Sequence, residues 1–439
     1  MPQKDEVELD IINVAHGGVF VARHEGRVVF VPDTMPGERV RARVADTAHD
    51  RFWRAELLEV LEPAAERREH VWDAASVHRA PGQRAGGAEF GHIRLEHQRE
   101  LKRRVIEDAL QRTARLDPET IAAVGPDGGR LTVEAVPGET DDGTGWRTRV
   151  RLQVARDGSI GPYAARTHTV VPVTGLPLAT AAVQEATPFG QRFPGAESVD
   201  VVATGLGAAH VLVNDLPEPN GTRGRGARGG RRPARPRRRP VPIRERVGER
   251  EFRLDARGFW QVHREAAATL TEAVRSAVDE SLFDPRAANL DLYGGVGLLA
   301  AALGDRFGPT TRITSVESDE AAADDAAENL AEWVGATAVT ARVEHFVTGL
   351  AAETTAAERA RLRAATVVLD PPRSGAGRDV VEAIASMRPA QIVYVACDPV
   401  ALARDLAYFA QRGYPLRSLR AFDLFPNTHH VEAVATLTP

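Results

Sequence analysis

Several short stretches of the C-terminal half carry residue types suited to covalent and acid–base chemistry. Ile392-Val393-Tyr394-Val395-Ala396-Cys397-Asp398-Pro399 brings the chain's single cysteine to the end of a strand-like apolar run, and Asp-Pro stops the strand there. Open α/β sheets bind ligands at the carboxyl ends of their strands. Cys397 is therefore a candidate nucleophile; the ordinary alternative is a small buried hydrophobe, as free cysteine often is. Val367-Val368-Leu369-Asp370-Pro371-Pro372-Arg373-Ser374-Gly375 ends a second run with a carboxylate and a guanidinium on a proline-stiffened turn. Asn289-Leu290-Asp291-Leu292-Tyr293-Gly294-Gly295-Val296-Gly297-Leu298 reads as a strand, a glycine-rich turn and a helix start, where a ligand can approach the backbone closely. About twenty residues on, Glu317 ends the next strand, where a carboxylate can accept both ribose hydroxyls of a nucleoside cofactor. Its plainer role is a charge at a helix N-terminus. Near the chain end, Asp423-Leu424-Phe425-Pro426-Asn427-Thr428-His429-His430-Val431-Glu432 lacks the spacing of a zinc site. Glu432 reads as a general base, or else as an exposed strand carboxylate.

These residues need a scaffold that gathers strand ends. Residues 250–439 alternate strand signals (288–292, 312–316, 338–342, 366–369, 391–395, 416–423, 430–437) with helical ones (264–280, 297–304, 319–333, 377–387, 399–411). That order predicts an α/β fold, a doubly wound Rossmann-like sheet with an antiparallel ending. Residues 1–62 carry short alternating runs punctuated by Gly and Pro, as in a small OB-like β-barrel. Between them, 93–116 is helical in pattern and 130–216 is strand-like, so 63–250 is expected to be a central α+β domain. Residues 217–242 form an Arg/Gly tract without apolar periodicity, expected to be disordered and suited to phosphate backbones or to solvent.

Composition narrows the classes. Hydrophobic residues make up 43% and charged residues 27%, enough for a sizeable core. A single cysteine excludes an intrachain disulfide, an all-cysteine zinc site and a cysteine-held iron–sulfur cluster. No signal-like or membrane-length apolar run is present, so a cytoplasmic location and no membrane are expected; a monomer is the default expectation. The net charge of −5 does not advertise a nucleic-acid partner; only the Arg/Gly tract does.

In combination and order, Gly258-Phe259-Trp260-Gln261, Asp291 to Gly297, Asp370 to Gly375, Tyr394 to Pro399 with Leu402 to Leu406, and Phe425 to Glu432 resemble the uridine-5 RNA methyltransferases. These are S-adenosylmethionine enzymes that make 5-methyluridine in tRNA and rRNA. The resemblance covers about 250–439, and residues 1–62 look like the TRAM module that many members carry for RNA binding. It implies that Cys397 is the nucleophile, that Glu432 is the base, and that Gln261, Tyr293, Glu317 and Asp370 line the S-adenosylmethionine site. It also implies a structured RNA partner, with rRNA slightly favoured over tRNA. Carbon 5 of uracil is a poor nucleophile; thiolate addition at carbon 6 makes an enolate that attacks the methyl group, so one thiol and one base are the minimum set. Arg373 and Arg404 are candidate cations to activate the thiol.

The chain departs from the family pattern in places. Asp398 stands where Asn is usual and adds a charge that would raise the thiol's pKa. Val262-His263 follows Gln261 in place of an ending in Asn, and Leu298 replaces a polar residue. Ala85 and Ala88 stand where many relatives have cluster-binding cysteines, so the cluster is expected to be lost. Two other readings are a methyltransferase acting on another nucleobase atom or on protein, and a non-catalytic RNA-binding or assembly protein with a degenerate site.

Overall fold

In the computed structural model, strands Asn289–Leu292, Thr366–Leu369 and Gln391–Ala396 have every residue buried. A parallel strand covered on both faces favours unbroken apolar runs, as in Val367–Leu369 and Ile392–Ala396, whereas Asn289 and Asp291 are buried with hydrogen bonds from the Thr366 N–H and Ser315 Oγ. These strands form the middle of an eight-stranded sheet, in the order Ala336–Thr340, Ile313–Glu317, Asn289–Leu292, Thr366–Leu369, Gln391–Ala396, Glu432–Leu437, Leu416–Phe422, Val133–Glu134. The first five are parallel, and Glu432–Leu437 runs antiparallel to both neighbours. Chain order reverses between Asn289–Leu292 and Thr366–Leu369, which opens a crevice at their carboxyl ends. The structure describes residues 6–49, 51–126, 129–165, 167–216, 239–353 and 355–439; most of the Arg/Gly tract, 217–238, lies outside them.

Residues Glu6–Ala15, Val19–His24, Arg27–Val31, Arg39–His49 and Phe52–Glu62 close into a five-stranded barrel. Alternation sends Leu9, Ile11, Phe20, Ala22, Val29, Val31, Ala55 and Leu57 inward. Arginines then rivet the barrel to the following segment. Arg67 donates to Glu38 Oε2 (2.9 Å) and to the Asp33 carbonyl (2.8 Å), and Arg84 to Asp33 Oδ2 (2.7 Å) and the Leu57 carbonyl (3.1 Å).

The stretch between the barrel and the eight-stranded sheet feeds two cores. Trp72, Ala85, Ala88, Trp146, Leu152, Val199 and Val201 pack around an antiparallel sheet built on Arg149–Val154 and Ala196–Ala203. Helix Leu95–Ala109 and the residues after it turn the other way. Ile106, Leu110, Ile121, Leu131 and Val133 join the core of the eight-stranded sheet, and Val133–Glu134 pairs at its far edge. Among the described residues, no helix is long and apolar enough to cross a membrane.

Candidate active site

The crevice between Asn289–Leu292 and Thr366–Leu369 is shaped by glycine. Gly294 packs so tightly that a Cβ there would stand 2.0 Å from Ser315 Oγ, and nothing fills the space where a Cβ would extend from Gly295. Tyr293 adopts a left-handed φ of 63°, a strained choice for a bulky residue that holds it at the turn. Glu317 folds over the same turn: its Oε2 accepts from the Gly295 N–H (3.1 Å) and its Oε1 from the Asp319 N–H (2.8 Å). Asp291 accepts from Ser315 Oγ (3.0 Å), and burial pushes its carboxyl up to about 6. Asp370 is pushed up to about 7 by burial and then by Asp291. The structure thus brings Tyr293, Glu317 and Asp370 to one crevice. Gln261 arrives from outside the sheet, on a segment whose Trp260 shares an apolar cluster with Val296 and Leu298. A glycine-opened cradle, a carboxylate beside it and two acids resisting ionisation together suit a nucleoside that also carries positive charge.

The second half of the site is set by strand register. Ala396 pairs with Ala433 as the last rung of the antiparallel ladder, which leaves Cys397, just past its strand, beside Glu432, the first residue of the partner strand. Their electrostatics agree: burial pushes the Cys397 thiol up to about 12, followed by the charges of Glu432 and Asp370, while Arg373 opposes them. Burial also raises Glu432 well above the carboxylate range, helped by Asp370 and opposed by Arg373. Arg373 is thus the cation of this group. Arg404 instead ties Asp405 (2.7 Å) and the Ser374 carbonyl (2.8 Å) into the turn after Asp370. Asp405 also accepts from Tyr394 (2.7 Å) and the Ala376 N–H (2.7 Å), so the Asp370–Gly377 turn is fixed from beneath. Asp398 is the least of the acids acting on the thiol.

Cys397 opens into a cavity of about 110 Å³ walled by three segments. The C-terminal, eight-stranded-sheet region supplies Arg373, Cys397 to Pro399 and His429 to Val431; the central region supplies Phe90, Lys102 and Val105; the barrel supplies Ala15 to Gly18. Asn427, at a left-handed φ of 66°, is the node that joins the closing loop to the central region. Its Oδ1 accepts from Arg68 (2.7 Å) and Gln98 (3.0 Å), and its Nδ2 donates to the carbonyls of Asp142 (2.9 Å) and Gly143 (2.8 Å). Lys102 donates to Asp423 Oδ1 (2.5 Å) and the Phe425 carbonyl (3.0 Å), bracing the same loop. His263 is a buried joint rather than a ligand: it stacks on Trp146 (5.4 Å), and burial lowers its pKa to about 4.

Sequence reading missed His16, Lys102 and Arg147. Arg147 is largely desolvated, its Nε has no hydrogen-bond partner, and its charge reaches Glu89 and Arg373. Nothing local in the sequence marks these residues, because each acts on groups hundreds of positions away or on another module.

The sheet, its switch-point crevice and the acid-lined cradle define a Rossmann-like methyltransferase domain. Residues 249–438 match the family described as tRNA (Uracil-5-)-methyltransferase. A protein of Streptomyces avermitilis named "Uncharacterized RNA methyltransferase" is 38% identical, over 99% of this chain and 98% of its own length. A Streptomyces coelicolor protein of the same description is also 38% identical, over 99% of this chain and 93% of its own. The crystal structure of Pyrococcus abyssi tRNA (uracil-54, C5)-methyltransferase with S-adenosyl-L-homocysteine superposes with a TM-score of 0.65 at 19% identity, over 98% of this chain and 100% of that one, and so shares the fold. The chain belongs to the S-adenosylmethionine-dependent RNA (uracil-5-)-methyltransferase family.

Proposed function

We propose that this protein methylates carbon 5 of a uridine in structured RNA through a covalent adduct between Cys397 sulfur and carbon 6 of uracil. The observation that carries the reading is the ladder register that sets Cys397 against Glu432 at the strand end adjoining the Asp370 turn. S-adenosylmethionine is the methyl donor, with Gln261, Tyr293, Glu317 and Asp370 lining its site and its positive charge near Asp370. The thiol is protonated in the free protein, since its pKa lies far above neutrality. Its proton passes to solvent as the sulfur adds to carbon 6, and the electron pair moves onto the carbon-4 oxygen as an enolate. Carbon 5 takes the methyl group and S-adenosylhomocysteine departs; Glu432, ionised once the cationic donor is bound, takes the carbon-5 proton, and the thiolate leaves and is reprotonated from solvent. Target uridines in folded RNA are stacked, so the base is extruded into the three-walled cavity. The barrel, 1–62, and the central region, 63–250, hold the RNA backbone, and 251–439 performs the transfer. Ribosomal RNA is slightly favoured over transfer RNA as the substrate, from the likeness of 1–62 to the TRAM module.

The test is labelled S-adenosylmethionine with total RNA from a strain lacking the gene, followed by nucleoside mass spectrometry. The expected product is 5-methyluridine. Cys397→Ala should lose at least about 1,000-fold in turnover, as removal of a covalent nucleophile does. Glu432→Gln should accumulate a protein–RNA adduct stable to denaturant. Cys397→Ala with undiminished activity would refute the adduct.

A further inference from the structure

The wall of the cavity that comes from the barrel is fastened to the nucleophile's own turn. Ala15 to Gly18 join the first two barrel strands, and Gly18, at φ +72°, lies so close to His429 that a Cβ would stand 2.7 Å from its Cβ. Beside it, His16 Nε2 and Asp398 Oδ2 are 2.8 Å apart. The other oxygen of Asp398 accepts from the N–H groups of Val400 (3.0 Å) and Ala401 (2.9 Å), capping helix Pro399–Gln411. One carboxylate therefore fixes the residue after Cys397 both to its helix and to the barrel. Glu432, Asp370, Arg373 and Asp398 are the charged groups acting on Cys397, and Lys102, His429 and His430 also line the cavity.

We propose that His16 is a positioning residue for the methyl transfer: as an imidazolium paired with Asp398, it holds the barrel turn over the base pocket and neutralises the carboxylate next to the nucleophile. The proposal rests on Cys397 being the nucleophile. The hydrogen bond with Asp398 raises the His16 pKa against the effect of its burial, which favours the cation near neutral pH. Without that cation, the Asp398 charge acts on the thiol unopposed. Asp398→Asn removes the charge and keeps the cap, because Asn caps helices as well as Asp does.

Cys397 is the only cysteine, so its alkylation by iodoacetamide, read by intact mass, reports its thiolate fraction without RNA or cofactor. At pH 7, where the paired His16 is taken as the cation, His16→Ala is expected to react about fivefold more slowly than wild type, the effect of one partly screened charge. Asp398→Asn should react faster than wild type, and the double variant should return to within about twofold of it. His16 is exposed on a turn, so its replacement leaves the core untouched. In turnover with total RNA from the strain lacking the gene, kcat should fall about fivefold in His16→Ala and recover in the double variant, with the KM for S-adenosylmethionine unchanged. A His16→Ala thiol that reacts as fast as wild type or faster overturns the proposal. So does a double variant that behaves like His16→Ala, because a purely docking role predicts that result. Alkylation that follows the expected order while the wild type methylates no RNA would support the pair and refute the RNA chemistry instead.

Discussion

The two halves of the site are built in opposite ways. The proposed cofactor crevice is made almost wholly of neighbouring strand ends in one sheet, with Tyr293 and Asp370 each following a strand and Glu317 ending one. The base pocket is assembled from three segments that meet only in the fold: 15–18, 90–105 and 373–431. A crevice of the first kind is as rigid as its sheet. A pocket of the second kind depends on joints between modules, and the structure concentrates those joints in a few buried polar residues. Damage to a joint should therefore cost RNA turnover and leave cofactor binding intact.

The largest separation of the two halves is expected at Asn427. All four of its side-chain hydrogen bonds link the closing loop to other segments, and its backbone N–H donates to Gln98 Oε1 (2.8 Å). Asn tolerates the left-handed conformation that Ala resists. Asn427→Ala should lower unfolding stability by about 3 kcal/mol, the cost of several buried groups left unpaired plus backbone strain. Urea denaturation followed by circular dichroism measures this. Calorimetry at temperatures where the variant is folded should find S-adenosylmethionine affinity within about threefold of wild type while RNA turnover collapses. Equal losses of both would mean that the halves are not separable.

The same contrast explains what could be read from the sequence. Strand ends of the catalytic sheet were legible because a doubly buried strand is an unbroken apolar run, and Gly or Asp-Pro must end it. Thr366–Leu369 and Gln391–Ala396 fall within a residue of where pattern puts them. Val133–Glu134 was not legible, since two residues carry no period and pairing at a sheet edge is settled by the rest of the fold. Helix Val343–Glu353 was missed although Val343, Phe346, Val347 and Leu350 make a helical stripe, because the run is short and its flanks carry no strong stop. Helix Ala356–Arg363 buries only Leu362; its signal was the capping box of Thr355 and Glu358. On the site, motif residues were readable and the joints were not. His16 lies 382 positions from the aspartate it meets, and no local pattern reports such a contact.

The cofactor half is sharpened by pH. Asp370 in the folded protein is raised to about 7 and Asp291 to about 6, against an unfolded carboxyl near 4. The folded state therefore keeps protons that the unfolded state has lost, and the stability of the free protein should fall as pH rises from about 4 to about 7. A cationic ligand beside Asp370 reverses the sign for binding: it favours the ionised carboxylate, so binding below pH 7 releases a proton. S-adenosylmethionine affinity should rise with pH between about 5 and 7, by at most about tenfold per unit, and level off above. Calorimetry in two buffers of different ionisation enthalpy measures the proton release. Asp370→Asn should flatten the slope. An affinity that is flat in the wild type would place the positive charge elsewhere in the crevice.

The smallest effect should come from Asn329, at the end of helix Glu320–Asn329. Its Oδ1 accepts from the Arg253 N–H (2.8 Å), and its Nδ2 donates to the carbonyls of Arg253 (3.0 Å) and Val296 (2.9 Å). It thus ties the hairpin Pro242–Val247/Arg250–Asp255, which leads into the Gln261 segment, to the glycine turn of the cofactor crevice. Asn329→Ala removes three bonds at a half-exposed site where water can replace part of them, and Ala is the better helix former. The net cost should be about 1 kcal/mol in denaturant unfolding, with S-adenosylmethionine affinity about threefold weaker and RNA affinity unchanged. Because the crevice stands on its own sheet, a clamp from outside can only trim its affinity. A loss of tenfold or more at Asn329 would show that the Gln261 segment builds the crevice jointly with the sheet, which would make the two halves of the site alike in design.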